Sequence, residues 1–134
     1  MPEPSEVTLV RNAIHNPAEP RHFMQVTPVG ARRVATVAGH VIADSADALV
    51  CKEVGRDVYD AVVYFPRGDV EAAALAAIDK STHCPLKGDT EYFDVVAGGE
   101  RYTEAAWSYV ELVTDNPLRG LVAFDASRVS VSAG

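Results

Sequence analysis

The segment 81–88 places a histidine, a cysteine and a lysine within five residues. Cys84 precedes Pro85, which favours an extended backbone, so the thiol is expected to be presented from a loop. His83 and Lys87 could both stabilise the thiolate by their charge, and a thiolate next to a base is the usual starting point of nucleophilic catalysis. The alternative is that Cys84 is a small buried hydrophobic residue, the commonest environment of a free cysteine.

A second dense segment, residues 64–70, precedes the cysteine loop and contains Arg67 and Asp69. Asp69 is a residue type that caps the first turn of a helix. Arg67 beside such a terminus could bind a carboxylate or a phosphate with two parallel hydrogen bonds. The alternative is structural: Arg67 would pair with Asp69 or Glu53 to hold the turn. Lys87 has the same two interpretations, an anion ligand or an ion pair with Asp69 or Glu53.

Aromatic residues alternate along the later part of the chain. Trp107 and Tyr109 lie two residues apart, so they share one face of a strand, and Tyr92 alternates in the same way with Phe93. Rings that carry a polar group are common in the walls of ligand sites. The alternative is that Trp107 anchors the core.

These observations predict a site around the Cys84 loop. Cys84, Lys87 and Glu53 are predicted to be catalytic, with Cys84 as the nucleophile and Glu53 or His83 moving a proton. The residues predicted to bind the ligand are Arg67, Asp69, His83, Tyr92, Trp107 and Tyr109.

No metal site and no cofactor are predicted. The two cysteines, Cys51 and Cys84, form no CxxC pair, so their spacing does not suit a zinc site of the usual type. His15, His22 and His40 are scattered along the chain. Cys51 follows the apolar residues Ala48, Leu49 and Val50 and is assigned to the core.

The predicted fold class is mainly β, in one compact domain. About seven short strands, spaced roughly 8–12 residues apart, indicate a mostly antiparallel sheet folded on itself. The alanine-rich residues 70–78 are predicted to form the one short helix, with Asp69 at its N-cap. Prolines interrupt residues 1–21, which are predicted to be an N-terminal arm, followed by a single β-rich domain at residues 22–134.

The composition narrows the function classes. Twelve Lys and Arg against 19 Asp and Glu give a net charge of −7, which argues against nucleic acid or an anionic membrane as partner. No apolar run approaches the roughly 20 residues that span a bilayer, and the acidic N-terminus is unlike a signal peptide. The chain is therefore expected to be cytoplasmic, with reduced thiols and no disulfide between its two cysteines. A homodimer is compatible with the sequence.

Four segments together resemble a known family, the small bacterial domain of unknown function numbered 427, sometimes catalogued under a nucleotidyltransferase-like name. They are VYFPRGDV (63–70), THCPLKGDTEYF (82–93), AAWSY (105–109) and GLVAF (120–124). The resemblance covers residues 30–132 and implies a mostly β fold similar in topology to the Mss4-like group. It implies no reaction. The residues that recur in the family correspond here to Glu53, Pro66, Arg67, Asp69, Cys84, Lys87, Gly88, Tyr92, Trp107 and Tyr109. One departure is Gly68, where a polar residue is usual.

Two functional hypotheses follow. In the first, the Cys84 loop lines a pocket for a small anionic or polar organic ligand. In the second, the chain is a non-catalytic protein-interaction module, in which the loop residues hold the turns and the aromatic face docks a partner.

Overall fold

The computed structural model describes residues 12–133. Within them the chain forms β-strands joined by turns, with two 3₁₀ turns at Arg67–Asp69 and Ala72–Ala74. The strands are β1 (Ile14–Asn16), β2 (Glu19–Pro28), β3 (Arg33–Val37), β4 (His40–Ser45), β5 (Leu49–Val54), β6 (Val62–Tyr64), β7 (Leu75–Ile78), β8 (His83–Cys84), β9 (Gly88–Ala97), β10 (Glu100–Leu112), β11 (Val122–Phe124) and β12 (Ser130–Ser132). The mainly β, antiparallel class is confirmed, but the predicted count of about seven strands is too low.

The strands form three sheets. The first sheet has the order β1-β2-β5-β6, the central sheet the order β11-β10-β9-β7 with β8 paired to β9, and the third sheet the order β12-β3-β4. Two backbone hydrogen bonds of 2.8 Å between Phe65 and Val122 join the end of β6 to β11. The first sheet is thereby tied to the edge of the central sheet.

The central sheet buries both of its faces. Cross-strand partners share a face, so Phe93, Ala106 and Phe124 lie on one side and Tyr92 and Trp107 on the other. The first core forms between the Phe93 side and the third sheet. The second core forms between the Trp107 side and the first sheet; its buried members are Met24, Cys51, Tyr64, Leu86, Tyr109, Leu118 and Ala123.

The predicted helix at residues 70–78 is wrong. Ala72–Ala74 form a 3₁₀ turn, and Leu75–Ile78 form β7, which pairs with β9. The alanines favour a helix by propensity, but an isolated helix of so few residues is marginal in water. Pairing with β9 supplies the backbone hydrogen bonds and buries Ala74 in the first core. Tertiary contacts therefore outweigh the local preference.

The first strands of the described residues belong to the first sheet. β1 and β2 pair from residue 14 onward, and the arm boundary predicted after residue 21 falls within β2. Residues 1–11 of the predicted arm lie outside the described residues. In the part that the structure describes, no helix has the length and apolar character needed to cross a bilayer.

Candidate functional site

The register between β2 and β5 brings His22 close to Glu53. Val26 lies opposite Cys51 and Met24 lies opposite Glu53, so one face of this pair is apolar at the centre and becomes polar toward one end. His22, two residues before Met24, is the next residue on that face. Its Nε2 lies 2.7 Å from Oε2 of Glu53. The polar end of the second core thus consists of an imidazole and a carboxylate.

The hairpin between β8 and β9 adds Cys84 and Lys87 to the same place. Cys84 pairs with Gly88, which has a φ of +127°. In that conformation the chain turns tightly enough for the backbone N–H of Lys87 to donate to Sγ of Cys84, at 3.4 Å. The side chain of Lys87 then extends to Glu53, and its ammonium group forms an ion pair with Oε1.

This ion pair lies largely out of solvent. The side chains of Lys87, Glu53 and His22 are 12%, 15% and 17% exposed, respectively. Removing charges from water costs free energy that the mutual attraction of a pair only partly recovers, and apolar residues of the same volume are often as stable. Stability alone is therefore a weak reason for placing these charges here, and groups of this kind cluster at functional sites.

The two members of the pair keep each other charged. Burial raises the pKa of Glu53, but the hydrogen bonds from Lys87 and His22 outweigh that effect and leave the pKa below its usual value. Burial disfavours the charged form of Lys87. The hydrogen bond and the charge of the Glu53 carboxylate act in the opposite direction, and the pKa of Lys87 lies above its usual value.

Asn16 determines which nitrogen of His22 carries the proton. The backbone N–H of Ala18 donates to Oδ1 of Asn16 at 2.9 Å, which directs the amide nitrogen of Asn16 toward Nδ1 of His22 at 3.2 Å. Nδ1 therefore accepts, and Nε2–H donates to Glu53. The hydrogen bonds run from Asn16 through His22 to Glu53, where Lys87 donates from the other side.

The thiol of Cys84 completes this group of four side chains, which we call the floor group: His22, Glu53, Cys84 and Lys87. One donor atom each from His22, Glu53 and Cys84 lies within 4.8 Å of the others, and all three residues are half-buried. His22 is the member that the sequence analysis missed. The signal was present, because His22, Met24 and Val26 alternate inward on one strand as Cys51 and Glu53 do on another.

A cleft of about 630 Å³, the site cleft, opens beside the floor group. It is lined by Asn16, Glu19, Arg21, His22, Gly55, Arg56, Tyr59 and Pro85. This lining contains two arginines and one glutamate. Arg21 is held by Glu19 through two hydrogen bonds of 2.9 Å, whereas no ion pair with Arg56 exists within residues 12–133. The cleft thus carries positive charge in a chain whose net charge is −7.

Tyrosines form the wall behind Lys87. The Lys87 ammonium lies 5.7 Å from the ring centre of Tyr109, whose ring centre is 6.5 Å from that of Tyr64. Trp107 packs against the core cluster that contains Tyr64. Burial raises the pKa of Tyr109 to about 12, so its phenol is protonated at neutral pH. Two of the aromatic residues predicted for the site, Trp107 and Tyr109, thus belong to or pack against the second core.

The other predicted site residues lie elsewhere. Arg67 is exposed and stacks over Phe93, 4.8 Å from the ring centre, on the first-core side of the central sheet. Asp69 accepts a hydrogen bond of 2.6 Å from Ser45. His83 is exposed and bonds to Asp89. These contacts replace the suggested pairing of Arg67 with Asp69 or Glu53, and they separate Arg67 from the Cys84 thiol.

Tyr92 lies beside Trp107, with ring centres 6.2 Å apart. The ammonium group of Lys80 lies 4.7 Å from the centre of the Tyr92 ring and 3.1 Å from Oε2 of Glu104, with which it forms an ion pair. Tyr92 is therefore on the same face as Trp107, but it is flanked by a different cation from the one in the floor group.

We expect iodoacetamide to modify Cys84 in the folded protein and to leave Cys51 unmodified. Cys51 is 2% exposed, packs against Met24, and has its pKa raised by burial to about 11, whereas Cys84 is half-buried. Mass spectrometry of tryptic peptides after brief treatment measures the two reactions. Both thiols should react in concentrated urea. Equal labelling of both in the folded state would contradict this assignment.

Most of this chain matches a known protein family. The family model described as domain of unknown function (DUF427) matches residues 25–133. No curated protein matches the chain. The matched range contains Glu53, Cys84 and Lys87, whereas His22 and Asn16 precede it.

Proposed function

The chain belongs to the DUF427 family, as the sequence resemblance indicated, and from its geometry we propose that it binds a small anionic organic molecule in the site cleft. The observation that carries the proposal is the floor group, whose charged side chains are largely removed from solvent and whose His22 lines an open cleft. A ligand site at this position explains why charged side chains are buried here, because the stability of the fold alone does not require them.

The lining of the cleft supports an anion as the ligand. Arg56 offers a guanidinium with no acidic partner within residues 12–133, and a guanidinium binds carboxylate or phosphate through two parallel hydrogen bonds. Tyr59 supplies a half-exposed ring on the same wall, against which an organic group can pack. A cleft of about 630 Å³ accommodates a molecule of metabolite size.

Within this proposal Lys87 and Glu53 position the site rather than react, because each already bonds to the other. Cys84 stays the predicted nucleophile, and its neighbour Pro85 lines the cleft. Arg67, Asp69, His83 and Tyr92, which the sequence also suggested, take no part in the proposal. The similarity of the sheet arrangement to the Mss4-like topology likewise stays a prediction.

Phenyl phosphate is a suitable probe, since it combines a dianion with a ring. We expect it to bind the chelator-treated full chain and to shift the backbone amide resonances of His22, Gly55 and Tyr59 in a ¹⁵N NMR titration. Arg56→Ala should weaken binding by about 10- to 100-fold, the equivalent of one lost charged hydrogen-bonding group.

Arg119→Ala is the matched control, since Arg119 is an exposed arginine outside the cleft lining. It should bind phenyl phosphate as the unmodified chain does. Equal loss in both variants would indicate unspecific attraction and contradict the proposal. Shifts confined to another surface, or no saturable shift at all, would also contradict it and would favour a protein-interaction module.

A further inference from the structure

We propose that His22, Glu53 and Cys84 bind one Zn²⁺ ion through Nε2, a carboxylate oxygen and Sγ. The sequence predicted no metal site because the cysteines and histidines are scattered. The fold nevertheless gathers three donor atoms from β2, β5 and β8 within 4.8 Å of one another. The inference concerns the floor group alone and does not depend on which anion enters the cleft.

The donor set selects the metal. A thiolate, an imidazole and a carboxylate are the three ligand types of zinc sites in proteins, whereas Mg²⁺ and Ca²⁺ require oxygen ligands throughout. Three protein ligands leave one position of a tetrahedral ion for water or for a bound molecule, as in catalytic zinc sites. His22 and Pro85, the neighbour of Cys84, line the site cleft, so this position is reached from the cleft.

Two of the donor residues already have a supporting hydrogen bond of the kind that orients metal ligands, and a polar side chain lies against the third. Lys87 holds Oε1 of Glu53, which leaves Oε2 as the ligand atom. The backbone N–H of Lys87 donates to Sγ of Cys84 at 3.4 Å. Asn16 contacts Nδ1 of His22 at 3.2 Å. Lys87 thus contributes twice, by its side chain and by its backbone, and its charge offsets one of the two anionic ligands.

Zinc would take the place of the proton that His22 now shares with Glu53 across 2.7 Å. The imidazole stays neutral, because its proton moves from Nε2 to Nδ1. The thiol of Cys84 loses its proton to solvent, so binding releases one proton for each ion when Glu53 is ionised. Nδ1–H then needs an acceptor, and Asn16 must turn its amide oxygen toward it, which breaks the hydrogen bond from Ala18.

The experiment is a titration of the full chain with Zn²⁺ and with Co²⁺ as a spectroscopic substitute, in a phosphine reductant and without added anionic ligand. We expect one ion per chain and, for Co²⁺, a thiolate-to-cobalt charge-transfer band in the near ultraviolet. Cys84→Ser should abolish the band. Cys51→Ala should retain it, because Cys51 is not among the three donors. Circular dichroism verifies that both variants are folded.

Asn16→Asp gives a second, independent readout. A carboxylate at this position can accept from both Nδ1–H of His22 and the N–H of Ala18, so the cost of turning the amide disappears. We expect zinc affinity to rise about tenfold, within the range that residues supporting metal ligands control. A purely structural role of Asn16 predicts no such gain.

Failure of the full chain to retain zinc in equilibrium dialysis would overturn the proposal. So would a cobalt–thiolate band that survives in Cys84→Ser, or zinc affinity that does not rise in Asn16→Asp. Because phenyl phosphate binding is measured on chelated protein and zinc binding without the phosphate, either proposal can fail while the other stands.

Discussion

Replacing Gly88 by alanine is expected to lower the free energy of unfolding by about 3–5 kcal/mol, the sum of backbone strain and a steric clash. Gly88 has a φ of +127°, which side chains rarely tolerate. A Cβ at this position would collide with the backbone carbonyl of Glu111 and with Cα of Leu112 on β10. Since that strand is paired with β9, the collision cannot be relieved by turning a side chain.

Gly120→Ala is the matched control for this prediction. Gly120 also has a positive φ, +76°, but a Cβ there meets nothing within 4 Å. Its substitution should cost about 1 kcal/mol, the strain of the left-handed conformation alone. Urea denaturation measures both variants. The difference between them isolates the clash, and equal losses would show that the packing of β9 against β10 is looser than described.

The second large effect is expected for Lys87→Met, which should lower the free energy of unfolding by about 3–5 kcal/mol. The substitution leaves the carboxylate of Glu53 largely buried with only His22 as a hydrogen-bond donor. The double variant Glu53→Gln with Lys87→Met removes both charges and retains an acceptor for His22. The double variant should recover most of the lost free energy of unfolding, because the loss comes from an unpaired buried charge.

The exposed pair of Arg32 and Asp44 provides the comparison. Its guanidinium makes two hydrogen bonds, of 2.8 and 2.7 Å, to the carboxylate, but both side chains are largely in solvent. Arg32→Ala should change the free energy of unfolding by less than about 1 kcal/mol. If Lys87→Met proves as mild as Arg32→Ala in urea denaturation, the floor group is more accessible to water than the structure indicates.

The elements were predictable to different degrees. Period-2 alternation and turn residues indicated a β fold and placed Trp107 and Tyr109 on one face, which agrees with the register of β10. The helix predicted for residues 70–78 was wrong. The alanines favour a helix locally, but residues 75–78 pair with β9 instead. Local preference decides an element only where no neighbouring strand competes for its backbone hydrogen bonds.

The candidate site shows the same division. The loop with Cys84 and Lys87 was visible in the sequence, and the pairing of Lys87 with Glu53 was one of its two suggested roles. Arg67 was expected nearby because it is close in the chain, yet it stacks on Phe93 across the central sheet. Spacing along a chain does not tell on which side of a sheet a turn ends.

The amino-acid sequence by itself determined the β character, the family and the reactive loop, since strand periodicity, turn residues and contiguous motifs are local properties. Only the tertiary structure decided that His22 joins Glu53, 31 residues away, and that both meet Cys84. That meeting depends on the register of β2 against β5 and on the packing of the first sheet on the central one. Both are set by contacts between distant segments, which no local pattern encodes.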